Sequence, residues 1–326
     1  MTSPTVSPAD VVAPPVATPV DGVDVLGSLS PSRASDFLTC PLLYRFRTID
    51  RLPEPPSPAA VRGTVVHQVL EDLFDVPAVE RTPERADLLL EPAWEALLAA
   101  EPDLAQMFAP TTPDGPEVGA WLATCHDTLA VYFDLEDPRR LEPAERELYV
   151  ESLLESKLLL RGFVDRVDIA PDGAIRIVDY KTGRAPGEGF EAKALFQLKF
   201  YALVLWRMRG VVPAMLQLVY LGSGEILRYA PDEEDLRATE RKVEAVWGAI
   251  EAARSSGQWL PRRSGLCGFC AHRDLCPEFG GTPPAAPGNP GGHSSGHPDD
   301  YTGVRSSSRA VIFPAAISSA KWHATR

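Results

Sequence analysis

The stretch GFVDRVDIAPDGAIRIVDYKTG, residues 162–183, carries the side chains best suited to chemistry. Asp165 sits among apolar neighbours on one strand-like run, while Asp179 and Lys181 stand two apart near the end of the next. Residues two apart in a strand project from the same face, so this pair leaves the sheet together. Two carboxylates converging at a strand end can hold a hard cation such as Mg²⁺ or Mn²⁺. A lysine beside them can orient an attacking water and neutralise charge developing on a phosphate. Alone, a D-x-K triplet would equally suit an ion pair on an exposed hairpin end.

A second constellation is built of cysteine. Cys267, Cys270 and Cys276 fall within ten residues, and Cys40 stands far upstream as a fourth. With five cysteines in 326 residues and no basic-then-apolar leader, the cluster reads as metal ligands in a reducing compartment, not as a disulfide framework. Spacing leaves iron-sulfur and zinc both open. Cys125 reads as a buried thiol within a helix.

The elements that must position these groups follow from periodicity. Ser30-Pro31-Ser32 offers a cap and a first-turn proline for short helices over Arg33 to Arg47, and Pro53 to Pro58 forms a loop. Val65, Val66, Val69, Leu70 and Leu73 make one apolar side of a helix over Val61 to Phe74, with His67 off that stripe. Strands are expected over Glu147 to Glu151, Lys157 to Ile169 and Ala174 to Tyr180, the last two joined by Pro171-Asp172-Gly173. A helix over Phe190 to Arg209, a hairpin over Ala214 to Tyr229 and a helix over Pro231 to Arg254 complete the order. This is an α/β arrangement, a small mixed sheet flanked by helices. Residues 1–27 read as a disordered Pro-rich lead and 279–326 as a disordered tail, around a domain over 28–278 with a helical insertion at 75–140 and a cysteine knuckle at 262–278.

The net charge of −13 argues at first against a nucleic-acid partner. Yet Asp75 to Leu160 holds 19 acidic and 6 basic side chains, which accounts for all of it. Basic residues gather elsewhere, at Arg33, Arg45, Arg47, Arg51 and Arg62, and at Lys181, Arg184, Lys193 and Lys199. No apolar run approaches the roughly 18 residues of a membrane span, so a cytoplasmic chain without membrane contact is expected.

Taken in order, these motifs resemble the PD-(D/E)XK nuclease superfamily, its RecB-type exonuclease branch in particular, and are similar to the small iron-sulfur exonucleases of CRISPR adaptation. The resemblance runs from about Leu29 to Pro277. It implies a restriction-endonuclease-like core. Arg62-Gly63-Thr64-Val65-Val66-His67 matches the helix motif whose histidine ligates metal, and Gly162 to Asp165 matches G-x-x-D, with Val164-Asp165 in place of the literal Pro-Asp. Asp179-Tyr180-Lys181 matches the third motif, with the Tyr180 carbonyl joining the ligands. Gln197 and Tyr201 match Q-x-x-x-Y, whose polar groups position the substrate strand or the lysine. The resemblance further implies that Cys40, Cys267, Cys270 and Cys276 hold a structural [4Fe-4S] cluster, zinc being the alternative, and that the segment with Ser30, Ser32 and Arg33 is an entry motif able to meet phosphate.

The expected activity is then Mg²⁺- or Mn²⁺-dependent hydrolysis of DNA from ends or single strands, in repair or recombination. Asp165, Asp179 and Lys181 would be catalytic, with metal held by His67, Asp165, Asp179 and Tyr180. A different class, a non-catalytic DNA-end-binding or docking module of a helicase-nuclease complex, keeps the same fold. A zinc-ribbon structural protein would leave Asp165, Asp179 and Lys181 without a purpose.

Overall fold

The computed structural model describes residues 25–108, 117–187 and 191–285, with backbone alone for 191–193. The Pro-rich lead up to residue 24, the 109–116 link and the tail from 286 lie outside the described residues.

The expected α/β fold is present, with six strands in one mixed sheet. In chain order the elements are β1 (Gly27–Leu29), α1 (Pro31–Thr39), α2 (Pro41–Tyr44) running into a π turn at Arg45–Ile49, α3 (Pro58–Leu73), α4 (Pro83–Ala100) and α5 (Val118–Leu135). Then come β2 (Glu145–Leu153), β3 (Leu158–Ile169), β4 (Ile175–Lys181), α6 (Glu191–Arg209), β5 (Met215–Tyr220), β6 (Glu225–Tyr229) and α7 (Glu233–Ser256). The strand order is β1-β3-β4-β5-β6, with β2 paired along β3 as well. β3 runs antiparallel to β2 and β4 and parallel to β1, β4 and β5 are parallel through the α6 crossover, and β6 returns antiparallel.

Two cores clothe the two faces. On one, α1, α2, α6 and α7 bury Phe200, Leu203, Val243 and Ile250 against Ile177, Leu216 and Leu218. On the other, α3, α4 and α5 bury Val66, Leu70, Trp94 and Leu129 against Val178, Tyr180 and Val219. The acidic stretch is helical as expected, and Trp94, Phe108 and Trp121 lock it together with centroids 5.0–5.7 Å apart.

Two local features differ from simple strand reading. Leu160, Val164 and Val167 all belong to the α6 side core, yet 164 and 167 are three apart and cannot share a face of a regular strand. The alternation therefore switches near Asp165. Opposite it, β2 pairs at Arg146 with Arg166 and at Leu148 with Val164 but not at Glu147, whose φ is 43°. The second is β1, absent from the sequence reading: Gly27, placed there in the lead, pairs with Leu158. At the other end, residues 279–285 fold back, and Arg45 donates to the Pro284 carbonyl at 2.5 Å. No helix among the described residues is long and apolar enough to cross a membrane.

Candidate active site

The site forms where β3 and β4 part. Their ladder runs from Ile169 and Ile175 to Arg166 and Val178 and stops, whereas β4 stays with β5 through Lys181. Asp165 is the next residue of β3. Its Oδ2 accepts the Tyr180 N–H at 2.8 Å, standing in for the lost ladder bond.

From α3, His67 enters this fork. Its Nε2 lies 3.0 Å from the Tyr180 carbonyl, which can only accept, so that nitrogen carries the hydrogen. Its Nδ1 faces Asp165 Oδ2 at 3.5 Å. On the other side of β4, Lys181 Nζ pairs with Asp179 Oδ2 at 2.7 Å and donates to Gln197 Oε1 at 2.9 Å. Gln197 Nε2 donates back to Asp179 Oδ1 at 2.8 Å, closing a ring of three side chains. The fork thus brings together His67, Asp165, Asp179, Tyr180, Lys181 and Gln197, six residues taken from four separate sequence motifs.

One member has no counterpart in the sequence reading. The ligand atoms of His67, Glu147 and Asp165 lie within 4.8 Å of one another, the one set of three or more His, Cys, Asp or Glu atoms so close among the described residues. A nitrogen and two carboxylates match the donor preferences of a hard or borderline divalent cation, so the residues fit one.

Electrostatics follow from the crowding. Burial, then the neighbouring Asp179 charge, push the Asp165 carboxyl up to about 6 against the opposing pull of His67 and Lys181. Burial, then Asp165, Glu71 and Asp179, push Glu147 up to about 8. Burial alone would lower Lys181, but the Asp179 ion pair outweighs it and holds the ammonium above its ordinary value. The lysine thus stays charged, whereas the crowding favours the neutral forms of Asp165 and Glu147.

Beneath the fork, Arg166 is 1% exposed. It donates to the Tyr180 hydroxyl, to both Glu136 oxygens at 2.8 and 3.0 Å and to Asp168 at 3.2 Å. Tyr180 is therefore held at its N–H, its carbonyl and its hydroxyl.

Other expected residues sit elsewhere. Tyr201 is buried, and a Cβ on Gly162 would lie 2.7 Å from its Cε1, so the glycine of one motif accommodates the tyrosine of another. Arg33 lies in the first turn of α1, where its N–H meets the Ser30 hydroxyl at 3.4 Å and its charge acts on Tyr44. Cys40, Cys267, Cys270 and Cys276 are free thiols lining one solvent-open cavity. The Arg262 and Ser264 N–H groups point at Cys40 Sγ and Cys267 Sγ, each at 3.4 Å. These sulfurs do not close into a set within 4.8 Å. Cys125 is fully buried, and burial pushes its thiol up to about 11.

Comparison with known proteins agrees with this architecture. The profile of the PD-(D/E)XK nuclease superfamily matches residues 28–277. The Gene 69 protein of Mycobacterium phage D29 is 28% identical over 278 residues, which cover 77% of this chain and 96% of the phage protein. Its counterpart in Mycobacterium phage L5 is 29% identical over 123 residues, covering 37% of this chain and 40% of that one. Among solved structures, a presumed exonuclease from Eubacterium rectale superposes with a TM-score of 0.50 at 14% identity, covering 76% of this chain and 88% of the other. At that identity the likeness concerns the fold.

Proposed function

Since the chain belongs to the PD-(D/E)XK nuclease superfamily, we propose that it is a Mg²⁺- or Mn²⁺-dependent DNA exonuclease of the RecB type, acting on single strands or ends in repair or recombination. The observation that carries this reading is the ring of Asp179, Lys181 and Gln197 set against His67 and Asp165 across one strand fork. An ion pair decorating a hairpin end would not need a buried aspartate, 1% exposed, or a glutamine spanning both partners.

His67, Asp165, Asp179 and the Tyr180 carbonyl would hold the metal. When bound, it supplies Lewis-acid activation of water and charge neutralisation at the scissile phosphate. The chain's own groups do the rest. Lys181, kept protonated by Asp179, presents hydrogen-bond donors where negative charge develops on phosphate oxygens. Gln197 fixes Lys181 and Asp179 relative to each other, a positioning role that needs no contact with DNA. Tyr201 acts on the strand through the α6 face it braces at Gly162, and Arg33 meets phosphate at the start of α1.

The four cysteines would hold a structural [4Fe-4S] cluster joining the segment after α1 to the segment after α7. Their shared cavity and the two N–H groups aimed at sulfur support this. A tetrahedral zinc held by the same four thiolates is the alternative occupant. A helicase or repair-complex partner would bring the DNA end, and the chain would act in the cytoplasm.

The test is a comparison of linear and covalently closed single-stranded DNA with Mn²⁺, using anaerobically purified protein. Degradation of the linear strand alone supports an exonuclease. Nicking of the circle would make it an endonuclease, and binding without shortening of either would favour a docking module.

A further inference from the structure

Glu147 occupies a position that charge and backbone conformation both disfavour. It stands opposite Asp165 on an antiparallel neighbour, between the paired rungs Arg146 with Arg166 and Leu148 with Val164. Like charges directly opposite each other destabilise a sheet. Its φ of 43° lies in the left-handed region, which a glutamate side chain rarely adopts. Such strain persists where the surroundings impose it and a site makes use of it.

The cations nearby are committed elsewhere. Arg146, its chain neighbour, turns to the Glu71 carbonyl and to Asp75 at 2.6 Å. Lys181 is bound to Asp179 and Gln197. Among the described residues no hydrogen bond or ion pair reaches the Glu147 carboxylate, and the charges it meets, Asp165, Glu71 and Asp179, are all negative. Its ligand atom nevertheless converges with those of His67 and Asp165 within 4.8 Å.

Building on the metal-dependent reading above, we propose that Glu147 is a further protein ligand of the active-site divalent cation, aimed at it by the left-handed break in β2. The cation then offsets the repulsion across the rung, and β2 becomes part of the metal site as well as an edge of the sheet.

The experiment is a titration of metal-free, full-length protein with Mn²⁺, followed by calorimetry or by the electron paramagnetic resonance of free Mn²⁺, together with thermal melts in EDTA. Glu147→Gln should weaken Mn²⁺ binding about tenfold or more and melt in EDTA no lower than wild type, since it removes one of the opposed charges. Glu147→Asn, a residue that tolerates positive φ, should behave alike and guards against a folding defect. Glu151→Gln, an equal charge change four rungs along β2, should bind Mn²⁺ like wild type. Wild-type affinity in both Glu147 variants overturns the assignment while leaving the nuclease reading intact. Failure of wild type itself to bind Mn²⁺ overturns both.

Discussion

Asp165 accepts the backbone N–H of Tyr180 at the rung where the β3–β4 ladder has ended. That single bond lets the two strands separate without leaving a backbone donor unsatisfied. The gap it opens admits His67 from one face, while Asp179 and Lys181 project to the other. The geometry of the candidate site is thus a consequence of where the β3–β4 ladder ends.

Gly162 is predicted to be intolerant of any side chain. A Cβ there would stand 2.7 Å from Tyr201 Cε1 and 3.5 Å from Pro31 Cδ. Gly162→Ala should cost about 1–3 kcal/mol as overpacking, read as a lowered urea midpoint. Adding Tyr201→Leu should recover part of that loss, because the two residues share the clash. Strict additivity of the two substitutions would contradict the contact.

Arg166→Met should be among the most destabilising single changes. It leaves Glu136 buried without its guanidinium and Asp168 with Arg176 alone, a loss of about 3–5 kcal/mol for a broken buried pair. Burial alone would raise Glu136, but Arg166 outweighs it and holds this carboxyl below its ordinary value. That contribution is present above the unfolded carboxylate pKa and lost as pH falls. The difference between variant and wild type should therefore shrink as pH falls below the ordinary carboxylate value of 4.5; a pH-independent difference in denaturation would count against the ion network.

The legibility of this site in the sequence was uneven for physical reasons. His67, Asp165, Asp179, Lys181 and Gln197 each sit in a short local pattern, and local patterns survive in a sequence read by eye. Glu147 does not, since its approach to Asp165 depends on a positive φ and on a switch of face that period-two alternation conceals. β1 escaped because three residues, Gly-Ser-Leu, become a strand only when β3 pairs with them. A Cβ on Gly27 would collide with the Trp247 ring, a long-range reason for that glycine that no window of sequence contains. The helices and the α6 crossover, carried by long apolar periodicity, were readable to within a few residues.

Metal-free protein should lose stability as pH rises. Asp165 and Glu147 titrate at about 6 and about 8 in the folded chain, above their ordinary values of 3.8 and 4.5. Between those limits the folded chain binds more protons than the unfolded one, so the stabilisation is full below about pH 4 and lost as pH climbs through 6 and then 8. Melting in EDTA should fall across this window, and Glu147→Gln should remove its upper part. Because metal and protons compete for the same carboxylates, Mn²⁺ affinity should rise over the same range. A melting temperature that rises with pH in EDTA would refute the assignment of these two groups.

Cys270→Ser tests the cysteine site. If the four thiols hold an iron-sulfur cluster, wild-type protein purified without oxygen is brown and contains iron and sulfide. The variant should then lose colour and melt lower, since a cluster tying the segment after α1 to the knuckle contributes to folding. A colourless wild type containing one equivalent of zinc would replace the cluster with a zinc site.

The most direct test of the account is cleavage of end-labelled DNA in Mn²⁺ by wild type, Lys181→Ala and Asp179→Asn, with folding checked by circular dichroism. Wild type should shorten the strand, and each variant should slow it by at least about 100-fold while remaining folded, the loss expected for removal of a group that stabilises transition-state charge. Undiminished shortening in both folded variants would contradict the claim that the Asp179, Lys181 and Gln197 ring is the catalytic centre.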